Sequence, residues 1–187
     1  MLITVLAVLL LAKIKGYQLR PLLSSRAVYP VLCAQLILVF FQLSIFLNTF
    51  YFVRFAAVIQ TAVILSFLFP AVVYRLYKPA ALGTVSVVAG SLLNRFVIAR
   101  NSGKMPVFPS LSYLTGYVTP ESFGAADTLH VLGGEATSFP FLSDFIDVGY
   151  SILSPGDLLI HFFTLLMLYY TIKAVNAQYF DLKNKVG

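Results

Sequence analysis

The sequence predicts an all-α, polytopic membrane helix bundle of about five spans with an extracytoplasmic loop cap. Three observations carry that expectation. Charged residues make up only 11% of the chain and hydrophobic ones 59%, with a mean hydropathy of +0.89, against roughly 25% charge in a soluble domain. Apolar runs near the length needed to cross a ~30 Å hydrocarbon core recur between short basic turns. One segment, 101–150, interrupts the series with Gly, Pro, Ser and Thr. A chain of 187 residues has room for one such bundle, so 1–187 reads as a single membrane domain.

The first run, Met1–Ala12, ends at Lys13 and Lys15. Twelve helical residues rise only ~18 Å. The run therefore spans only if the helix continues to about Leu19 with its lysines snorkelling; otherwise it is a half-span. No basic residue precedes it and no small-x-small site follows it, so it reads as a retained helix and not a signal peptide. Val28–Leu47 is the second expected span and Phe55–Tyr74 the third, with Pro70 a candidate kink. Ala80–Ala99 is the fourth. Its Gly83, Ser86, Ala89, Gly90 and Ser91 let another helix approach closely in lipid. Pro155–Val175 is the last. Within 101–150, Ser110–Val118 and Ala126–Leu132 suit one or two helical turns each. A long loop in a small protein is usually functional or disordered, and the aromatic content of this one argues for a compact cap.

Charge placement orients the bundle. Lys13, Lys15, Arg20, Arg26, Arg75, Lys78, Lys173, Lys183 and Lys185, nine of the thirteen basic residues, flank one side. The positive-inside rule makes that side cytoplasmic, together with the C-terminus, and makes the loop extracytoplasmic. The net charge of +6 is thus topogenic and does not point to nucleic acid. The loop holds five of the seven acids, Glu121, Asp127, Glu135, Asp144 and Asp147. Cys33 is the lone cysteine, which leaves no internal disulfide to form.

Polar residues gather at the expected outer face. Ser154-Pro155-Gly156-Asp157 places serine at an N-cap, proline at N1 and an acid at N3, a capping box with Asp in place of Glu. His161 lies one turn below Asp157 on the same helix face. An ionisable residue at membrane depth is expected to face the bundle interior and to pair with something. Asp144 and Asp147 stand at helical spacing just before the last span. With Asp157 and His161 they are the candidates for general acid and base chemistry. Asn94, Arg95, Arg100, Asn101 and Lys104 form an opposite, basic pole suited to a phosphate or carboxylate headgroup. Asp127 and His130, spaced i,i+3, are further ligand-binding candidates. Joined to Asp157 and His161 they would make a two-carboxylate, two-imidazole set, but no metal-ligand motif supports one, and no metal or other cofactor is assigned.

Asn101-Ser102-Gly103-Lys104-Met105-Pro106, then Asp127 and His130, then Asp144, and finally Ser154-Pro155-Gly156-Asp157 carry a resemblance. Over nearly its whole length the chain resembles an uncharacterised family of bacterial integral-membrane proteins of unknown function. That family pairs an Asn-Gly-Gly-x-Met-Pro-like motif with a Ser-x-Gly-Asp start to the last span. Ser102 stands where the family has glycine. The resemblance implies a multi-pass protein of the bacterial plasma membrane and brings no activity with it. In outline, "DFIDV" followed by "SPGD" is also similar to the two catalytic aspartates of lipoprotein signal peptidases. The Asn-x-x-Asp-Arg stretch of those enzymes is missing here.

Three functions follow as expectations. The first is an outer-face polar pocket that binds a lipid headgroup, a small ligand or a partner membrane subunit. The second is an aspartate-dependent hydrolase acting on lipid or lipopeptide. The third, an ion- or proton-coupled transporter, ranks last because the inner halves of the spans carry almost no ionisable residues. The sequence leaves open whether the protein is an enzyme.

Overall fold

In the computed structural model, residues 1–47, 49–119 and 129–186 are described. The helices are α1 (Leu2–Ile14), α2 (Tyr29–Phe46), α3 (Ala56–Ser66), α4 (Leu68–Val73), α5 (Tyr77–Arg100), the short α6 (Leu111–Thr115) and α7 (Pro155–Val186). Among the described residues, three helical stretches are long and apolar enough to cross a membrane, Arg26–Ser44, Tyr77–Arg100 and Pro155–Asp181. These are the second, fourth and last of the five expected spans.

The other two runs form shorter helices, each for a local reason. α1 does not continue to Leu19. Gly16 turns left-handed at φ 79°, its N–H bonds the Lys13 carbonyl, and the Tyr17 N–H reaches back to Ala12. That is a Schellman closure, and it ends the helix. The buried Asn176 of α7 then holds the exit segment: it accepts from the Gln18 N–H at 2.8 Å and donates to the Gln18 carbonyl at 2.9 Å. The third run is interrupted at Phe67 between α3 and α4. Pro70 has no N–H for the Ser66 carbonyl, and its ring crowds that carbonyl.

The tightest seam lies between α5 and α7, which run antiparallel. A Cβ at Gly83 would meet the Phe163 ring at 2.7 Å, and one at Gly90 would collide with the Gly156 carbonyl. Such close backbone approach is the packing that holds apolar helices together where no hydrophobic drive acts between them. Phe67 and Phe163 meet edge to face at 5.7 Å, beside the fully buried Met167 and Ile172 of α7 and Val8 of α1.

Residues 105–153 hold two short ladders. β1 (Met105–Val107) pairs in parallel with β2 (His130–Leu132), Met105 opposite His130. β3 (Ile146–Asp147) pairs antiparallel with β4 (Ile152–Leu153) around a turn at Gly149, φ 83°. Of the two helical turns expected here, the first exists as α6. In the second, 126–132, the described part is strand: His130–Leu132 answer to a partner strand some 25 residues upstream, and local apolar content cannot encode that.

Candidate functional site

β1 is the element that assembles the site. One edge pairs with β2 and delivers His130; the other bridges Val107 to Asp144. The Asp144 N–H donates to the Pro106 carbonyl at 3.1 Å, and the Phe108 N–H donates to the Asp144 carbonyl at 2.8 Å. The backbone of Asp144 is thus fixed on both sides. The motif at 101–106 starts this arrangement. Ser102 and Gly103 both turn left-handed, at φ 56° and 78°, which stops α5 and aims the chain into β1. Asn101 is structural: its amide donates to the Val97 and Ser138 carbonyls and its oxygen accepts from the Ser138 N–H, all at 2.9 Å.

The Asp144 side chain points inward. The residue is 5% exposed, its Oδ2 lies 3.6 Å from His130 Nε2, and its Oδ1 is buried with no hydrogen-bond partner among the described residues. Burial pushes its ionisation up to about 7, the negative charge of Asp157 adds to the rise, and His130 opposes it.

Asp147 has the opposite surroundings. It accepts from the N–H groups of Ser110, Ser112 and Gly149 at 2.7–2.8 Å and from the Ser112 hydroxyl at 2.5 Å. It caps α6 and closes the β3–β4 turn. Partial burial pushes its carboxyl up, but the Ser112, Ser110 and Gly149 hydrogen bonds together hold it below the usual carboxylate range.

The capping box at the start of α7 is present. The Asp157 N–H donates to Ser154 Oγ and the Ser154 N–H donates to Asp157 Oδ2, both at 3.0 Å. Asn94 of α5 completes a ring: its amide donates to Asp157 Oδ1 at 2.9 Å, and its oxygen accepts from the Ser154 hydroxyl at 2.8 Å. A Cβ at Gly156 would overlap Asn94, so glycine there is what lets Asn94 reach the cap. Ser154 was legible as a cap but not as part of a bond across the seam.

His161 does turn inward and is 8% exposed. Its company is α1 and not the loop: Nε2 lies 3.3 Å from the Met1 nitrogen and Nδ1 3.3 Å from Thr4 Oγ1. Thr4, a lone hydroxyl in an apolar run, was the available signal. Among the described residues, the polar partners of His161 thus come from the N-terminal helix and its start. His130 joins Asp144, His161 joins α1, and Asp127 lies outside the described residues. No group of three metal-ligating side chains occurs among the described residues.

Arg95, Arg100 and Lys104 are exposed. The Arg100 guanidinium sits over the Phe96 ring at 5.3 Å, and Phe96 packs on Phe139 of the loop. Among the described residues, neither Arg95 nor Arg100 pairs with a carboxylate; the acid–base contact there is His130–Asp144.

The fold and site define a protein of apolar, span-length helices with a buried carboxylate held at one end of its tightest helix pair. The chain belongs to a family of unknown function, DUF5317, whose model matches residues 20–169. Neither a curated protein nor a solved structure matches it.

Proposed function

We propose that the chain is a multi-pass protein of the bacterial plasma membrane whose extracytoplasmic polar pocket binds a donor-bearing lipid headgroup, or a small ligand of like chemistry, through Asp144. The supporting observation is Asp144 Oδ1, a buried acceptor without a donor among the described residues. Leaving such a group unsatisfied costs ~1–3 kcal/mol, which a ligand N–H or O–H would relieve. The nearby negative charge of Asp157 suits an ammonium in particular. The one-sided basic residues support the orientation.

The test compares phosphatidylethanolamine, which has N–H donors, with phosphatidylcholine, which has none, by native mass spectrometry. Wild type is expected to retain the ethanolamine lipid preferentially. Asp144→Leu should keep the fold and lose that preference by ~10-fold, the value of one charge-assisted hydrogen bond. An undiminished preference in Asp144→Leu contradicts the proposal.

A second reading, an aspartate-dependent hydrolase acting on lipid or lipopeptide, draws on the same raised ionisation. A carboxyl near 7 is poised for proton transfer. Both oxygens of Asp157 are committed to Ser154 and Asn94, which favours binding over a catalytic pair. Hydrolysis of a lipid ester or lipopeptide by wild type, abolished in Asp157→Asn, would reverse that order.

A further inference from the structure

At the far end of the α5–α7 pair from Asp144 lies a groove of about 600 Å³. Arg75, Lys78 and Leu82 line one wall, and Leu166 and Tyr170 of α7 line the other. Local physics disfavours both cations where they stand. The turn before α5 closes with the Leu76 N–H on the Ala71 carbonyl at 2.8 Å and the Arg75 N–H on Val72 at 3.3 Å. This is a Schellman turn, whose left-handed position normally belongs to glycine; here Arg75 occupies it at φ 54°. Lys78 sits in the first turn of α5, the end at which the helix dipole disfavours a positive charge. No described carboxylate pairs with either, since the contact between a basic and an acidic side chain among the described residues is His130–Asp144. A topogenic role accounts for two positive charges on this flank. It does not account for their convergence, against backbone and dipole, on one groove.

We propose that this groove binds an anionic phospholipid. Its phosphodiester would lie between Arg75 and Lys78, with the guanidinium offering the bidentate fork that phosphate accepts. Its first acyl carbons would run along Leu82 and Leu166, with Tyr170 at the polar–apolar boundary, where tyrosine is favoured. The apolar floor selects a lipid over free phosphate. A hydrated inorganic ion gains nothing from leucine and would lose water against it.

The test is a titration of the detergent-purified full chain with phosphatidylglycerol, read by native mass spectrometry, with phosphatidylcholine in parallel and inorganic phosphate as competitor. Wild type is expected to prefer phosphatidylglycerol, and inorganic phosphate should not displace it. Arg75→Gly and Lys78→Gln should each weaken phosphatidylglycerol binding about fivefold, the weight of one basic side chain near an anionic headgroup. Arg75→Gly should do so with Tm unchanged or raised, because glycine relaxes the left-handed turn. Equal binding of the two lipids overturns the proposal, as does displacement by inorganic phosphate. Undiminished phosphatidylglycerol binding in both variants also overturns it. A lowered Tm in Arg75→Gly would show a structural arginine and overturn its assignment to the ligand.

Discussion

Asp144, bridged to β1, and Asp147, on β3, lie three residues apart and have opposite fates. Asp147 is closed: serine hydroxyls and backbone N–H groups from 110–112 and 149 fill its oxygens. Asp144 is open: His130 stands beside one oxygen, and the other is buried and unmatched among the described residues. A carboxylate surrounded by donors is a structural device. One shut away from water beside an imidazole, with an acceptor to spare, is what the proposed ligand site rests on. Asp157 belongs with Asp147, because its oxygens are taken by the cap of α7 and by Asn94.

The largest expected effect comes from pH, and the two acids should pull in opposite directions. The carboxyl of Asp144 is raised from an ordinary 3.8 to about 7. Between those values the folded chain binds more protons than the unfolded one, so this contribution is full below 3.8 and is lost as pH rises through about 7. Asp147 is lowered, so its contribution is present above the ordinary 3.8 and is lost as pH falls through its depressed folded value. Thermal melts of the wild type should therefore lose stability from about pH 4 to about pH 7, and Asp144→Asn should flatten that slope. A slope that survives in Asp144→Asn breaks the comparison.

Next in size is Asp147→Ala, expected to cost ~2–4 kcal/mol because several charge-assisted hydrogen bonds are lost together. Asp144→Leu should cost nothing or stabilise slightly, since it removes an unsatisfied buried group. Chemical denaturation of both variants separates the open acid from the closed one, and equal losses would mean that both are structural.

Asp157→Asn should cost ~1–2 kcal/mol. An amide has one acceptor oxygen for two donors, Ser154 N–H and Asn94 Nδ2, and turns its own N–H groups on the other. A loss near zero would place Asp157 outside the closed class. The smallest effect is expected from Ser102→Gly. It relieves a left-handed serine at φ 56° and should gain ~0.5 kcal/mol, partly offset by the looser unfolded chain. Destabilisation there would mean that the serine side chain has a task in the turn.

What was legible in the sequence tracks how local each interaction is. The capping box lies within Ser154–Asp157 and could be read directly, as could the break near Pro70 and the small residues of α5. The half-length of α1 was an open alternative, and Gly16 decides it. The unlike roles of Asp144 and Asp147 were not legible. Their spacing is helical, yet the difference is made by Ser110 and Ser112 some 35 residues earlier and by β1, which lies between two partners distant in sequence. The sequence shows that His161 needs polar company but not which element supplies it. The partner came from α1, at the other end of the chain.

Direct observation of the Asp144 carboxyl tests the account most closely. The protein, labelled with ¹³C at aspartate side-chain carboxyls and held in lipid nanodiscs, can be titrated by NMR, with Asp144→Asn to assign the resonance. A carboxyl carbon that titrates near 7 and vanishes in Asp144→Asn is the predicted result. If the Asp144 resonance titrates at or below the ordinary 3.8, its oxygens are already satisfied, and the open site does not exist.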